Sequence, residues 1–413
     1  HVEGGKQAIL STQLSMTHLF QRIDAQRIGI DPERTSLTGT GGKLEIGKSS
    51  IGNWRYKGSL AWVSPELELN DIGFLRQAND IRQQAYLSYQ TLKPFGQFRK
   101  VELYFDQLSN FDFDRNHNML QFTLGTNALL KNNWNVELMA IWKPVNYSIS
   151  VLQGGPRFRY SEEFFKSVSF TSDTRKKLRY NGAIYSNNGK NNALSYNEYK
   201  LGLTYQPVNA FMFSVTPSYA INKNKLQYLT QTRMVDEVRY LTASLDQKTL
   251  SAAIRFDYSI NPDLTIQYYG QPFISQGKYA AFGKVTSPTA YYYGDRSTVF
   301  NNSQMQMDNK RNMYLVDEDA NGTTDYSIVN PDFSFVQFRS NLVVRWEYIP
   351  GSEIYLVWSQ GINENGNPNQ SLFNGLSSQI LNGKPENSFL LKLTYRLTKH
   401  IRNKGNNTTD TIR

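Results

Sequence analysis

The chain has 413 residues and no cysteine, which excludes disulfides, cysteine-ligated zinc, iron–sulfur clusters and thiol nucleophiles. Aromatic residues make up 13%, charged residues only 19%, and mean hydropathy is −0.53; a disordered chain would have fewer aromatics, and membrane helices would need apolar runs of about twenty residues. The net charge of +10 suggests nucleic acid, but Lys and Arg are scattered, with modest clusters only at 174–177 and 399–404, so no nucleic-acid partner is expected.

The start, His1-Val2-Glu3-Gly4-Gly5, is neither an initiator Met nor a signal peptide, as expected of a mature product or of the C-terminal part of a longer chain. From there apolar and polar residues alternate almost throughout, with no convincing run at helical spacing. The alternation predicts strands at about 7–20, 36–47, 53–63, 83–92, 98–108, 116–129, 134–151, 164–173, 178–187, 195–206, 209–222, 249–258, 263–273, 337–348, 354–362 and 387–397. Short connections (48–52, 93–96, 130–133, 174–177, 206–210, 261–263, 349–353) alternate with longer polar loops, among them 64–82, 152–163, 223–247, 274–333 and 363–386. Tight turns at one end and long loops at the other describe an up-and-down meander. Segment 223–247 is ambiguous, and reading it as a hairpin projecting from a long loop keeps the turns in phase.

Several motifs invite chemistry and need weighing. Gly42–Ser49 matches the phosphate-binding pattern G-x-x-x-x-G-K-[ST], but its middle residues alternate as a strand and a turn follows where a helix is required. Glu66, Glu68 and Asp71 could pair as glycosidase carboxylates, but nothing near them adds a second argument. The four histidines (His1, His18, His117, His400) assemble no nucleophile, base and orienting group, so no catalytic residues and no enzyme are expected. In the loop at 317–325 oxygen-bearing residues recur at alternate positions with Gly322 sixth, a spacing that lets a short segment wrap a hard cation. Asp317, Asp319, Asn321, the Thr323 carbonyl and Asp325 are the candidate calcium ligands; the twelfth position is Ile328, so the bidentate Glu is missing. No other cofactor is indicated.

The faces of the strands point to a membrane. Runs of about ten residues suit strands crossing a bilayer at a tilt better than the shorter strands of a soluble sandwich. The minority face carries charge and amide on strand after strand, with Arg255, Asp257, Arg339, Arg345, Glu347, Lys392 and Arg396 predicted to face a hydrated lumen. Aromatics gather near strand ends (Trp54, Tyr56, Trp134, Trp142, Tyr205, Trp346, Tyr348, Tyr395), as interfacial girdles do. In lipid, a sheet satisfies its edges only by closing on itself. The predicted fold is therefore an all-β, antiparallel up-and-down transmembrane β-barrel of about sixteen strands, with short periplasmic turns and long extracellular loops. It occupies residues 1–397, with 274–333 as an extracellular or plug loop and 398–413 as a disordered basic tail.

At Thr38–Gly42, Ser64–Leu75 (S-P-E-L-E-L-N-D-I-G-F-L), Gly154-Gly155-Pro156, Asp246–Ser251, Gln271-Pro272-Phe273, Asn330–Phe333 and Arg345–Ser352 the chain resembles a Bacteroidota family of unknown function. The resemblance runs across essentially the whole chain. It implies an outer-membrane barrel placed behind an N-terminal domain similar to family-nine carbohydrate-binding modules, with no catalytic residues to carry over. The expected function is that of a non-enzymatic barrel in the bacterial outer membrane, a pore or surface-binding protein linked to glycan recognition or uptake. The alternatives are a structural barrel recruiting partner proteins, or the membrane anchor of a carbohydrate-active hydrolase whose catalytic part lies upstream. The expected partners are outer-membrane lipid and a glycan or surface protein; the sequence leaves the oligomeric state open.

Overall fold

The computed structural model describes residues 2–3, 36–67, 77–234 and 237–397. Fifteen of the sixteen predicted strands lie within them, numbered here β1 to β15; the strand predicted at 7–20 and the tail 398–413 lie outside the described residues. The first six are β1 Gly41–Lys48, β2 Trp54–Val63, β3 Asp80–Gln90, β4 Phe98–Phe111, β5 His117–Leu130 and β6 Asn135–Ser148. Then come β7 Glu163–Thr171, β8 Leu178–Gly189, β9 Leu194–Val208, β10 Phe211–Arg233, β11 Val238–Asn261 and β12 Leu264–Val285. The last three are β13 Phe333–Ile349, β14 Ser352–Asn365 and β15 Glu386–Thr394.

Each strand pairs antiparallel with the next in chain order, so the pairing ladder runs from β1 to β15 without a crossover. Two short strands, Phe158–Arg159 beside β6 and Ser297–Val299 beside β12, bring the sheet to seventeen. Val2–Glu3 and Ser36–Leu37 form a separate pair. The two-residue turns all fall at one end: 209–210 joins β9 to β10, 262–263 joins β11 to β12, and 350–351 joins β13 to β14, where Gly351 takes the left-handed conformation (φ 81°) that such a turn accommodates.

Three expectations need correction. Segment 223–247 does not stand on a loop: it continues β10 to Arg233 and β11 from Val238, so that the two reach 23 and 24 residues, with register shifts at Asn224/Gln227 and Tyr228/Thr230 that bend the ribbon without ending it. The predicted loop 274–333 begins too early, because β12 continues to Val285 in partnership with β11. The loop 363–386 contains a helix, α1 (Leu372–Asn382), whose first turn is capped by the Ser371 side chain accepting from the Asn374 N–H.

Buried apolar side chains do not form a layer along the sheet. The main cluster sits at the long-loop ends of β11 and β12, where Leu241, Ala243 and Phe282 pack with Phe300, Val316 and Ile328 of the loop that follows. Three four-residue strands of the loop after β12 (Met305–Asp308, Met313–Val316, Tyr326–Val329) make a small sheet over this cluster, so that loop is a folded cap.

Candidate functional site

Alternation gives the large sheet two faces of opposite chemistry, and the registers show which side chains share each face. On the first face the apolar side chains stay exposed from strand to strand. Leu44 and Ile46 of β1, Leu103 and Phe105 of β4, Leu124 of β5, Leu201 of β9, Leu356 of β14 and Leu391 of β15 are all more than 40% exposed. Registers join them into one belt: Phe105 opposes Leu87 and Leu124, Trp142 opposes Phe122 and Phe164, and Leu356 opposes Val344 and Leu391. Aromatic rings edge it, with Trp54 against Tyr89 (5.0 Å) and Trp346 against Tyr348 (6.1 Å) toward the tight turns. One lysine, Lys166 between Phe164 and Val168, interrupts it. A water-soluble protein rarely shows apolar surface on this scale.

The opposite face is held by charge. Gln84 donates to Asp106 (2.7 Å), Asn127 to Glu137 (3.0 Å), and Asn146 and Asn187 both to Glu163 (2.8 and 3.0 Å). Glu198 accepts from Tyr196 and Ser218 (2.9 Å each) and pairs with Lys200. Arg345 bridges Glu347 (2.9 Å) and Glu353, which also accepts from Tyr355 (2.8 Å). Six residues predicted for a lumen share this face: Arg255 and Asp257, Arg339, Arg345 and Glu347, and Lys392, whose ammonium lies over the Tyr355 ring. Arg396 lies past the end of β15, its N–H donating to the Ser352 hydroxyl (3.0 Å) and its stem against Gly351, at the tight-turn rim. Asp106, Glu137, Glu163, Glu198, Glu347 and Glu353 are each matched by a base or amide, an arrangement that hydrates and stiffens a wall.

The cap covers the same polar side. Leu241, Ala243 and Leu245 have the parity of Ser251, Arg255 and Asp257 on β11, so the cap's apolar cluster stands over the long-loop end of the charged face. What fastens it is Glu318, a residue that sequence reasoning passed over. Its side chain is only 9% exposed and meets Arg239 of β11 (3.2 Å), Lys284 of β12 and the Tyr326 hydroxyl (2.7 Å). Burial raises the Glu318 carboxyl, but Lys284, Tyr326 and Arg239 outweigh that and leave it below the usual carboxylate range. Tyr326, desolvated and donating to that carboxylate, is pushed up.

The flanking aspartates form the cluster that the sequence marks for a cation. Oxygens of Asp317, Asp319 and Asp325 lie within 4.8 Å of one another. Asp317 already accepts the N–H groups of Asn321 (3.1 Å) and Gly322 (2.7 Å), Asp319 that of Asn321 (3.2 Å), and Asp325 that of Glu318 (2.8 Å). Burial raises the Asp317 carboxyl, but these backbone donors hold it below its ordinary value. Asn321 Oδ1 is engaged by the Thr323 N–H (2.8 Å), and Ile328, at the twelfth position, is buried in the cap. The three carboxylates suit a hard cation that keeps most of its water; they do not make a closed calcium cage.

The Tyr291-Tyr292-Tyr293 run is held by two arginines that no sequence signal singled out. Arg159 lies over the Tyr291 ring (4.7 Å) and donates its backbone N–H to Pro288 (2.8 Å). Buried Arg296 donates to the carbonyls of Ala290 and Tyr291 (2.9 Å each). The Tyr291 and Tyr292 rings, perpendicular to each other, remain 68% and 72% exposed.

The other motifs carry no site. Gly42–Lys48 lies within β1 and no helix follows it, so the phosphate cradle does not form. Of the three loop acids only Glu66 is among the described residues; Glu68 and Asp71 lie outside them. His117, the one described histidine, stacks on Phe111 (4.5 Å). No curated protein matches the chain. Residues 6–403, covering both faces of the sheet, the cap and α1, match the family described as a domain of unknown function, DUF5916, and the chain belongs to that family.

Proposed function

We propose that this chain is a non-enzymatic β-barrel of the bacterial outer membrane, its apolar belt in lipid and its charged face around a hydrated interior that the cap narrows at the outer end. The division of one continuous sheet into an exposed apolar belt and a networked polar face carries the reading. Crossing a bilayer at a tilt takes about nine to eleven residues, and the belt on β11 runs from Leu250 to Tyr258. No helix among the described residues is long and apolar enough to cross a membrane, and strands need none. Fifteen strands leave β1 and β15 running in the same direction, so closing the sheet in antiparallel fashion takes one strand between them. The alternating run at 7–20 is the sequence's candidate for that place.

A glycan is the proposed cargo or surface ligand. Exposed Tyr291 and Tyr292 offer stacking faces at the mouth, and the resemblance to Bacteroidota barrels behind carbohydrate-binding domains points the same way. The protein in detergent is expected to migrate faster on gels unheated than boiled, to retain β circular dichroism, and to give conductance steps in planar bilayers. A folded barrel without conductance would favour the scaffolding role. A protein monomeric and soluble without detergent would end the membrane reading.

A further inference from the structure

The wall outside the belt has a second feature, at its margin toward the cap. On the face that carries the belt, β10 to β12 change from apolar to lysine-bearing over two steps of the ladder. Tyr219, Leu250 and Ile274 form the last apolar row. The next row is Ile221, Lys248 and Gln276, and the one beyond is Lys223, Asp246 and Lys278. With Lys225 these lysines line a cavity of about 960 Å³, closed on its other side by the segment 368–372 leading into α1.

That segment is fixed by the wall. Lys278 donates to Asn369 (2.7 Å), and Gln276 reaches the Ser334 hydroxyl (3.2 Å) and the Asn367 carbonyl (3.4 Å). α1 then packs its Gly375 against Ile274 on the same face and turns Phe373 and Leu381 outward, 71% and 81% exposed. Charges in the cavity do not balance. Four ammonium groups face one carboxylate, Asp246, which lies 3.6 Å from Lys223, and Lys248 has no partner among the described residues. Like charges held together on a wall repel, and an anion relieves them. The cavity opens beside apolar surface on two sides, the belt below it and Phe373 of α1 next to it.

We propose that this cavity binds the phosphate-bearing headgroup of an outer-leaflet lipid. The headgroup phosphate would sit among Lys223, Lys248 and Lys278, and the acyl chains would run down the belt past Tyr219 and Leu250. Lysine suits this task because a mobile ammonium meets a phosphate as a point charge, without the fixed geometry that an arginine fork demands. The proposal deepens the membrane reading and rests on it.

The test uses the full chain in bilayer discs of phosphatidylcholine, with and without the diphosphorylated diglucosamine lipid of bacterial outer leaflets, and follows thermal unfolding. The lipid is expected to raise the wild-type midpoint. The triple variant Lys223→Gln, Lys248→Gln, Lys278→Gln is expected to keep the wild-type midpoint in phosphatidylcholine alone and to need at least about tenfold more lipid for the same rise, since binding to the folded state alone stabilises it by mass action. Heat-modifiable migration of the variant checks that it folds. An undiminished rise in the triple variant would overturn the proposal, as would an equal rise with inorganic phosphate in place of the lipid. A wild-type protein that never enters the discs would instead overturn the membrane reading beneath it.

Discussion

Glu318 sits between two aspartates whose spacing advertises a cation site, yet its own carboxylate turns the other way, toward the half-buried Arg239 and Lys284. Spacing along a chain shows which groups lie on a turn, but not which of them is drawn under it, and so the latch stayed hidden while the candidate ligands were legible. Removing one partner of such a pair strands the others, at a cost of about 3–5 kcal/mol when fully buried, and less here because Lys284 keeps 26% of its surface. Glu318→Gln is therefore expected to loosen the cap while leaving the main sheet folded, read as faster amide exchange confined to 286–332. A carboxyl whose folded value is depressed stabilises fully above its unfolded value, and that contribution fades as pH falls through the folded value. The cap should thus hold at neutral pH and loosen below pH 4.5, the ordinary glutamate value, in wild type, with a much smaller response in Glu318→Gln.

Strands were the legible elements. A side-chain period of two, repeated over ten residues with Gly, Asn and Pro between runs, leaves little else for segments such as 337–348 or 354–362 to become. Three elements escaped for three reasons. The distal parts of β11 and β12 bury Leu241, Ala243 and Phe282 under the cap, a partner that appears only in three dimensions. The cap's own strands are four residues long, too short for a period to register. In α1 the wall-facing residues are small or lie among Asn, Ser and Gly, so the helical stripe of Leu372, Leu376 and Ile380 reads as loop. A side chain at Gly375 would place its Cβ 2.9 Å from Ile274 and 3.3 Å from Gln276, so Gly375→Val is expected to lift α1 from the wall at a cost of about 1–3 kcal/mol. Ser371→Ala should cost about 1 kcal/mol by removing the cap of its first turn. Limited proteolysis within 366–385 would report both, the first more strongly.

At the scale of the whole molecule the two faces make opposite demands on a new charge. Leu356 and Val357 are neighbours on β14, but one opposes Val344 and Leu391 in the belt and the other opposes Val343 and Leu390 across the polar side. Leu356→Arg is expected to destabilise the protein in bilayers by about 2–4 kcal/mol, with Val357→Arg costing far less, as measured by urea unfolding in vesicles. Equal costs would mean that lipid does not distinguish the two faces.

The strands are also unequal in height. β10, β11 and β12 have 23, 24 and 22 residues, against 8, 10 and 11 in β1, β2 and β3. At about 3.3 Å per residue the surplus is about 40 Å of strand on one flank. In the proposed barrel a rim cut so obliquely would make access a matter of bearing: a bulky ligand would be turned away by the tall flank and cross only over the low sill, sorted by the shape of the rim before any side chain touched it.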